Sequence, residues 1–186
     1  MKEILNYTDF KDVKVVKLKS HIDDRGSSII LDVPRDFPTR KMLISYNKRA
    51  GTVRGIHVQT KNSSEEKIIW CSAGSILDVI LDLRKNSPTY LKLATLPITE
   101  FSVAVLLPKG VAHGYQTLVD NSTVNYLIDT QQSLENSIVI NPMCSHLEIK
   151  WPLRITSISE KDSSGFCLQK VAEYCEVNSL FGPKFE

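Results

Sequence analysis

The stretch IIWCSAGSILDVILDL, residues 68–83, is the most apolar run of the chain, and its reading decides the fold. It is too short to cross a membrane as a helix, and Asp78 and Asp82 interrupt it. Ala73-Gly74-Ser75 supplies a turn near its middle, so residues 67–72 and 76–83 are expected to pair as a hairpin of two apolar strands. The same grammar extends both ways. Upstream, residues 13–18, 28–33, 42–46 and 53–58 read as strands, the last two split by a turn at Arg49-Ala50-Gly51. Downstream, residues 90–96 stop before Pro97, and 102–107 end at the turn Pro108-Lys109-Gly110. Residues 115–119 and 123–128 flank Asp120-Asn121-Ser122 as a second hairpin, and 137–140 form a further short strand. Strands at this spacing, with no helical pattern between them, imply an antiparallel sandwich or barrel and argue against a parallel α/β sheet. Only the tail differs. Ser164 is expected to cap a helix over 165–176, with Phe166, Leu168, Val171, Ala172 and Cys175 as its apolar stripe.

Composition narrows the function classes. The 186 residues suit one domain, and no linker, repeat or low-complexity tract marks a second. Hydrophobic residues at 42% and charged residues at 24% indicate a folded chain with a sizeable core. Twenty-three basic against 21 acidic residues leave a formal charge of +2, too balanced for a main partner that is nucleic acid or an anionic membrane. The opening residues MKEILNYTDFKDVK mix both charge signs and lack an apolar core, so no cleaved leader is expected. Cys71, Cys144, Cys167 and Cys175 lie far apart without a C-x-x-C, and are expected to be reduced thiols of a cytoplasmic protein.

Two of the four histidines sit in strands or tight turns. Alternation in residues 53–59 places Val53, Gly55, His57 and Gln59 on one face and Arg54, Ile56 and Val58 on the other. A barrel interior is one candidate direction for His57. Any single histidine has an equally simple reading as a packed core or surface residue, and His21 and His146 are left there. The spacings G-x5-H at Gly51 to His57 and P-x-G-x-x-H at Pro108 to His113 resemble the two half-motifs of the cupin superfamily. That resemblance implies a mainly β, cupin-type antiparallel jelly-roll barrel, a single domain over 1–186 with its core at about 13–162 and a short helical tail at about 163–186. Metal-binding cupins carry H-x-H followed by a glutamate. Here Gln59 replaces the second histidine, and Glu65 and Glu66 miss the glutamate position. A primary amide is a poor ligand for a transition metal that wants three or four N, O or S donors, so no metal and no cofactor are expected.

Arg54, His57, Lys67, His113 and Tyr126 cluster in these segments instead. Such a set suits proton abstraction beside a carbonyl. A histidine base takes the carbon-bound proton, cations hold the enolate oxygen, and a tyrosine acid returns a proton if nearby cations lower its pKa. Taken singly, Tyr126 is also ordinary strand packing and Lys67 an ordinary edge lysine.

The ordered set of motifs goes further. RGIHVQ at 54–59, Lys67, GSILDVILDLRKNSPTY at 74–90, LLPKGVAHGYQTL at 106–118, Tyr126, IKWPL at 149–153 and ISEKD at 158–162 resemble the dTDP-4-dehydrorhamnose 3,5-epimerase family. That family has RGLHxQ, a lysine ten residues after the histidine, a G-x-x-x-D-V-x-V-D-x-R-x-x-S-P-T hairpin, P-x-G-x-A-H-G and S-x-K-D. The resemblance spans about 13–162. It implies a metal-free homodimer with an exchanged N-terminal strand, acting on a nucleotide-activated 4-keto-6-deoxy sugar at the carbons flanking the ketone, in deoxysugar biosynthesis for a surface polysaccharide or a glycosylated metabolite. By the same resemblance His57 is the base, Asp162 its carboxylate partner, Tyr126 the opposing acid and Lys67 the enolate-stabilising cation. Arg54, His113 and Lys161 would line the sugar-phosphate pocket. Arg25 would reach the nucleotide from the other subunit, Glu135 would be a further binding carboxylate, and Asn47 would be a remnant of the family's Q-x-N. Asp78, on the Ile76 and Ile80 face of its strand, is expected to pair with His113.

The departures lie at the nucleotide end. Ser27, Ser28, Ile29 and Ile30 follow Asp24-Arg25-Gly26 where the family has aromatics and a glutamate. Gln131 and Gln132 stand where it commonly has an aromatic pair, one of which stacks on thymine. Other readings stay open: a mono-epimerase or ketoisomerase, a non-catalytic sugar-nucleotide-binding cupin, and a metal-dependent cupin.

Overall fold

The computed structural model describes residues 6–131 and 135–177. It contains twelve strands, β1 (Lys14–Lys17), β2 (Lys19–Asp23), β3 (Gly26–Ile30), β4 (Lys41–Asn47), β5 (Val53–Gln59), β6 (Lys67–Ala73), β7 (Ser75–Asp82), β8 (Leu93–Thr99), β9 (Val103–Leu107), β10 (Val111–Thr117), β11 (Ser122–Ile128) and β12 (Ser137–Val139). Two helices follow, α1 (Glu160–Ser163) and α2 (Leu168–Val177). One five-stranded sheet has the order β1-β9-β6-β11-β4, the other β12-β5-β10-β7-β8, and β2-β3 form a separate hairpin. Every strand pairing is antiparallel, which gives the expected jelly roll.

The two sheets face each other across a shared core. Ile69 and Cys71 of β6, Val105 and Leu107 of β9, and Val124, Tyr126 and Ile128 of β11 meet Ile76 and Ile80 of β7 and Tyr115 of β10 there. Tyr7 and Phe10, in and after a short 3-10 turn, join the same cluster. The opposite face of the second sheet is covered too. Val79 and Leu81 of β7 and Ile56 and Val58 of β5 pack under Leu147, Val171 and Cys175. Burial on both faces explains why 76–83 reads as an almost unbroken apolar run.

Several sequence expectations need correcting. Neither expected hairpin forms: β6 and β7 lie in different sheets, as do β10 and β11, so the turns at Gly74 and at Asp120-Asn121 cross between the sheets instead of joining paired neighbours. The strand expected at 28–33 begins at Gly26 and pairs with β2, turning at Asp24-Arg25. β8 does not stop before Pro97 but runs through it. It is an edge strand, where a residue without an N–H costs no ladder bond on the open side. The tail is not one helix. Ser164 closes α1 instead of opening a longer helix, and Phe166 forms a parallel bridge with Ile140 before α2 starts. That bridge also overturns the reading of four reduced thiols. It draws Cys167 against Cys144, and the two form a disulfide with Cα atoms 5.4 Å apart, while Cys71 and Cys175 are in no disulfide. Their 23-residue separation left no local signal of the pairing.

Candidate active site

A cavity of about 720 Å³ opens between the two sheets, lined by Arg54, His57, Lys67, His113, Tyr126 and Asp162 among others. His57 comes from β5 in one sheet and Tyr126 from β11 in the other. Strand alternation aims His57 inward, the direction that the sequence offered as one candidate. The same alternation put Arg54 on the opposite face, and there the structure differs. His57 pairs with His113 and Arg54 with Tyr115, so β5 spends three steps where β10 spends two. This bulge resets the side-chain parity and turns Arg54 into the cavity. Gly55 makes it possible. Its φ is +101°, and a Cβ there would lie 2.6 Å from Gly114 Cα and 2.7 Å from His113 O.

His57 and Asp162 form a close pair, with Nε2 2.6 Å from Oδ1. The other carboxylate oxygen, Oδ2, accepts from the Gly55 N–H at 3.2 Å. Ser159 caps α1 by accepting from the Asp162 N–H at 3.1 Å, which holds the carboxylate in place. Burial pushes the Asp162 carboxyl up, but His57, Gly55 and Ser159 together outweigh it and hold the group below the usual carboxylate range. An ionised Asp162 on Nε2 leaves Nδ1 as the nitrogen that can take a proton from a ligand.

Lys67 lies 2.6 Å from Glu65 Oε1, and both residues are buried. Glu65 Oε2 is buried without a hydrogen-bond partner among the described residues. Glu65 lines the cavity as the counter-ion of Lys67, a role that its spacing did not reveal. His113 Nε2 is 2.5 Å from Asp78 Oδ1, and the Tyr7 hydroxyl donates to Asp78 Oδ2 at 2.9 Å. The pairing of Asp78 with His113 therefore follows the strand parity. The rings of His113 and Tyr126 meet edge-on, 5.8 Å between centroids.

Tyr126 departs from expectation in one respect. The acid role was offered on the condition that nearby cations lower its pKa. Burial instead drives the phenol well above its ordinary value, reinforced by Tyr115 and Asp78, and the single opposing cation, Arg54, is outweighed. Tyr115 itself shares hydrogen bonds with Ser45 at 2.8 Å and with Asn47.

Of the residues singled out in the sequence, Arg54, His57, Lys67, His113, Tyr126, Lys161 and Asp162 line this one cavity. Three do not. Asn47 is buried behind it, where Oδ1 accepts from Arg54 Nε at 2.8 Å and so aims the guanidinium. Glu135 lies in a neighbouring groove with Phe166 and Lys170. Arg25 is on the exposed β2-β3 hairpin, paired with Asp23 at 2.6 Å. Gln131 is exposed, and Gln132 lies outside the described residues. The cavity residues His57, Gln59, Glu65 and His113 stand in or near the positions that hold the ion in metal-binding cupins. Glu65 is paired with Lys67 and Gln59 offers a primary amide, so two of these four positions supply poor donors for a transition metal.

Comparison with known proteins is consistent with this geometry. A family model described as dTDP-4-dehydrorhamnose 3,5-epimerase matches residues 7–170. A dTDP-4-dehydrorhamnose 3,5-epimerase of Sinorhizobium fredii is 34% identical over 122 residues, 64% of this chain and 63% of that protein. The match thus spans less than two thirds of that relative's length. A dTDP-4-dehydro-6-deoxyglucose 3-epimerase of a Streptomyces species is 31% identical over 148 residues, 78% of this chain and 75% of its own. The crystal structure of the Bacillus anthracis dTDP-4-dehydrorhamnose 3,5-epimerase with TDP and pyrophosphate bound superposes with a TM-score of 0.82 at 29% identity, covering 89% of this chain and 99% of that one.

Proposed function

The chain belongs to the dTDP-4-dehydrorhamnose 3,5-epimerase family, and we propose that it epimerises a nucleotide-linked 4-keto-6-deoxy sugar at the carbons beside the ketone. The observation that carries this reading is the placement of His57 and Tyr126 in one cavity on opposite sheets. His57 Nδ1 takes the proton from the carbon next to the ketone, and the electron pair moves onto the ketone oxygen. Asp162 stabilises the imidazolium that results. The cation of Lys67, steadied by Glu65, faces the enolate oxygen. Tyr126 then gives its proton to the same carbon from the opposite side, which inverts the centre. A phenol raised by burial stays protonated at neutral pH and is still a far stronger acid than the carbon it protonates, so its shift does not disqualify it. Net transfer is one proton off one face and one onto the other, and solvent restores His57 and Tyr126.

His113, tied to Asp78, and Arg54, aimed by Asn47, supply positive or donor character toward the anionic half of the substrate, with Lys161 at the rim. Arg25 and the β2-β3 hairpin, where Ile22 is 80% exposed, would act across a homodimer through an exchanged N-terminal strand. Glu135 would bind at the margin. A cytoplasmic setting in deoxysugar biosynthesis belongs to the same proposal; no described helix is long and apolar enough to cross a membrane. A mono-epimerase is the second reading, favoured by the similarity to a 3-epimerase.

Incubation with nucleotide-linked 4-keto-6-deoxy sugars in deuterated water tests the proposal. Deuterium at both flanking carbons supports 3,5-epimerisation, and deuterium at one carbon supports the mono-epimerase. Absence of exchange across TDP, CDP, GDP and UDP sugars, despite saturable binding, would leave a binding protein only.

A further inference from the structure

Away from the cavity, Cys144, His146 and Cys167 bring three ligand-type atoms within 4.8 Å of one another. We propose that these side chains form a site for a thiophilic divalent cation of the zinc type, available when the two cysteines are reduced and closed when they form the disulfide. The proposal does not depend on the epimerase reading.

Geometry is the first support. His146 Nδ1 lies 3.8 Å from Cys144 Sγ and 3.7 Å from Cys167 Sγ. Zn–S bonds of about 2.3 Å and Zn–N bonds of about 2.0–2.1 Å in a tetrahedron place sulfur and nitrogen ligands ~3.6 Å apart. In the disulfide form the imidazole already stands at ligand spacing from both sulfurs, and on reduction the sulfurs need only part from each other to become separate ligands. Surrounding contacts are of the kind that tune a metal site. The Gln169 side-chain amide meets His146 Nε2 at 2.5 Å. The contact runs through the amide nitrogen; turned over, the amide would accept from Nε2–H and favour the tautomer that offers the Nδ1 lone pair. The Leu168 N–H points at Cys144 Sγ at 3.5 Å, a donor suited to a thiolate.

The backbone that presents these groups does not rely on the S–S bond. Cys144 and His146 sit at the 3-10 turn Ser145–Leu147. Cys167 is held by its neighbour Phe166, whose N–H donates to Val139 O and whose carbonyl accepts from Asn141 N–H, both at 2.9 Å. Asn141 Nδ2 also donates to Ser163 O at 2.7 Å. Reduction by a dithiol transfers two electrons to the disulfide, yielding two thiols and the oxidised dithiol. Binding of the cation then releases two protons, and two thiolates balance its charge. His146 is exposed, so the fourth position is open to water.

The test uses the full chain, reduced with a phosphine and handled without oxygen. The reduced protein is expected to take up one equivalent of Co2+ with a thiolate-to-cobalt charge-transfer band and the visible bands of four-coordinate cobalt, and Zn2+ should displace it. Cys144→Ser and Cys167→Ser should lose the band, Cys71→Ser and Cys175→Ser should keep it, and His146→Gln should weaken binding by about tenfold or more. The disulfide form should bind at least about tenfold more weakly. Lack of a thiolate band in the reduced chain, or a band that His146→Gln or oxidation leaves unchanged, overturns the proposal. His146 is at the surface, so its variant and the oxidised wild type decide the matter even if a cysteine variant fails to fold.

Discussion

The His57 imidazole and the Tyr126 phenol face one cavity of about 720 Å³ from opposite sheets of the jelly roll. Across that gap the two rings differ in how they are held. His57 is half-exposed and anchored by the carboxylate of Asp162, whereas Tyr126 is buried against Tyr115 and His113. A partly exposed, carboxylate-anchored proton acceptor therefore confronts a buried proton donor, and this asymmetry sets what each variant should do.

Replacing the base or its carboxylate should stop chemistry without emptying the cavity. His57→Asn is expected to lower kcat by about 10²–10⁴, with solvent deuterium incorporation falling in step. Asp162→Asn should fall within the same range, because it loses both the imidazole's orientation and the stabilisation of its charged form. Isothermal titration with a nucleotide diphosphate should show affinity within about threefold of wild type.

Tyr126→Phe separates abstraction from return. The variant keeps His57, so one-sided exchange with deuterated solvent should persist while inverted product drops by about 10²-fold or more. The raised phenol also makes a statement about pH. Tyr126 stays protonated past the ordinary tyrosine range, so the wild-type rate should show no alkaline fall from this group below about pH 10. A profile that declines through pH 8–9 in the wild type but not in the variant contradicts it.

Lys67 and Glu65 are paired inside the barrel, so a change at either disturbs both catalysis and folding. Lys67→Met leaves the Glu65 carboxylate buried and uncompensated, which should cost about 3–5 kcal/mol of stability. The double variant Lys67→Met with Glu65→Leu should recover most of that in urea melts while remaining about 10²-fold or more impaired in kcat.

Acid should loosen the fold through Asp82 and Asp162. Burial raises the Asp82 carboxyl, but Arg84, Ser87 and Thr89 outweigh it and hold the group below its ordinary range. Asp162 is held low as well. For a depressed carboxyl, the stabilisation is present above the unfolded value of about 3.9 and is lost as pH falls through the folded value. Urea midpoints should therefore hold steady from neutral pH toward about 5 and drop below about 4. Asp82→Asn should be weaker at neutral pH and shallower in acid.

Gly55→Ala should be among the most damaging single-methyl changes. The added Cβ meets the backbone of the adjacent strand at 2.6–2.7 Å, in a φ region that disfavours side chains. A loss of at least about 2 kcal/mol is expected in denaturant melts, together with loss of activity, since the same residue sets the parity of Arg54 and donates to Asp162.

Much of this was legible in the chain itself. Period-two alternation is a property of each strand alone, so it was enough to put His57 and Gln59 on one face, with the interior as a candidate direction, and to set Asp78 on the face of Ile76 and Ile80, from which its pairing with His113 was expected. The apolar run at 68–83 announced two central strands and the turn between them, but not that the turn carries the chain from one sheet to the other. What alternation cannot register is a change of step. The bulge at Gly55 turned Arg54 into the cavity, and it exists only because β5 and β10 approach so closely that nothing larger than glycine fits. Likewise, the Glu65 counter-ion, the Asn47 brace on Arg54 and the joining of Cys144 to Cys167 each depend on segments meeting through the folded core or the docked tail. Local pattern determined the strands and the direction of most side chains; only the closing of the barrel and the seating of the tail decided which of those side chains would touch, because contact between distant residues is set by packing rather than by sequence neighbours.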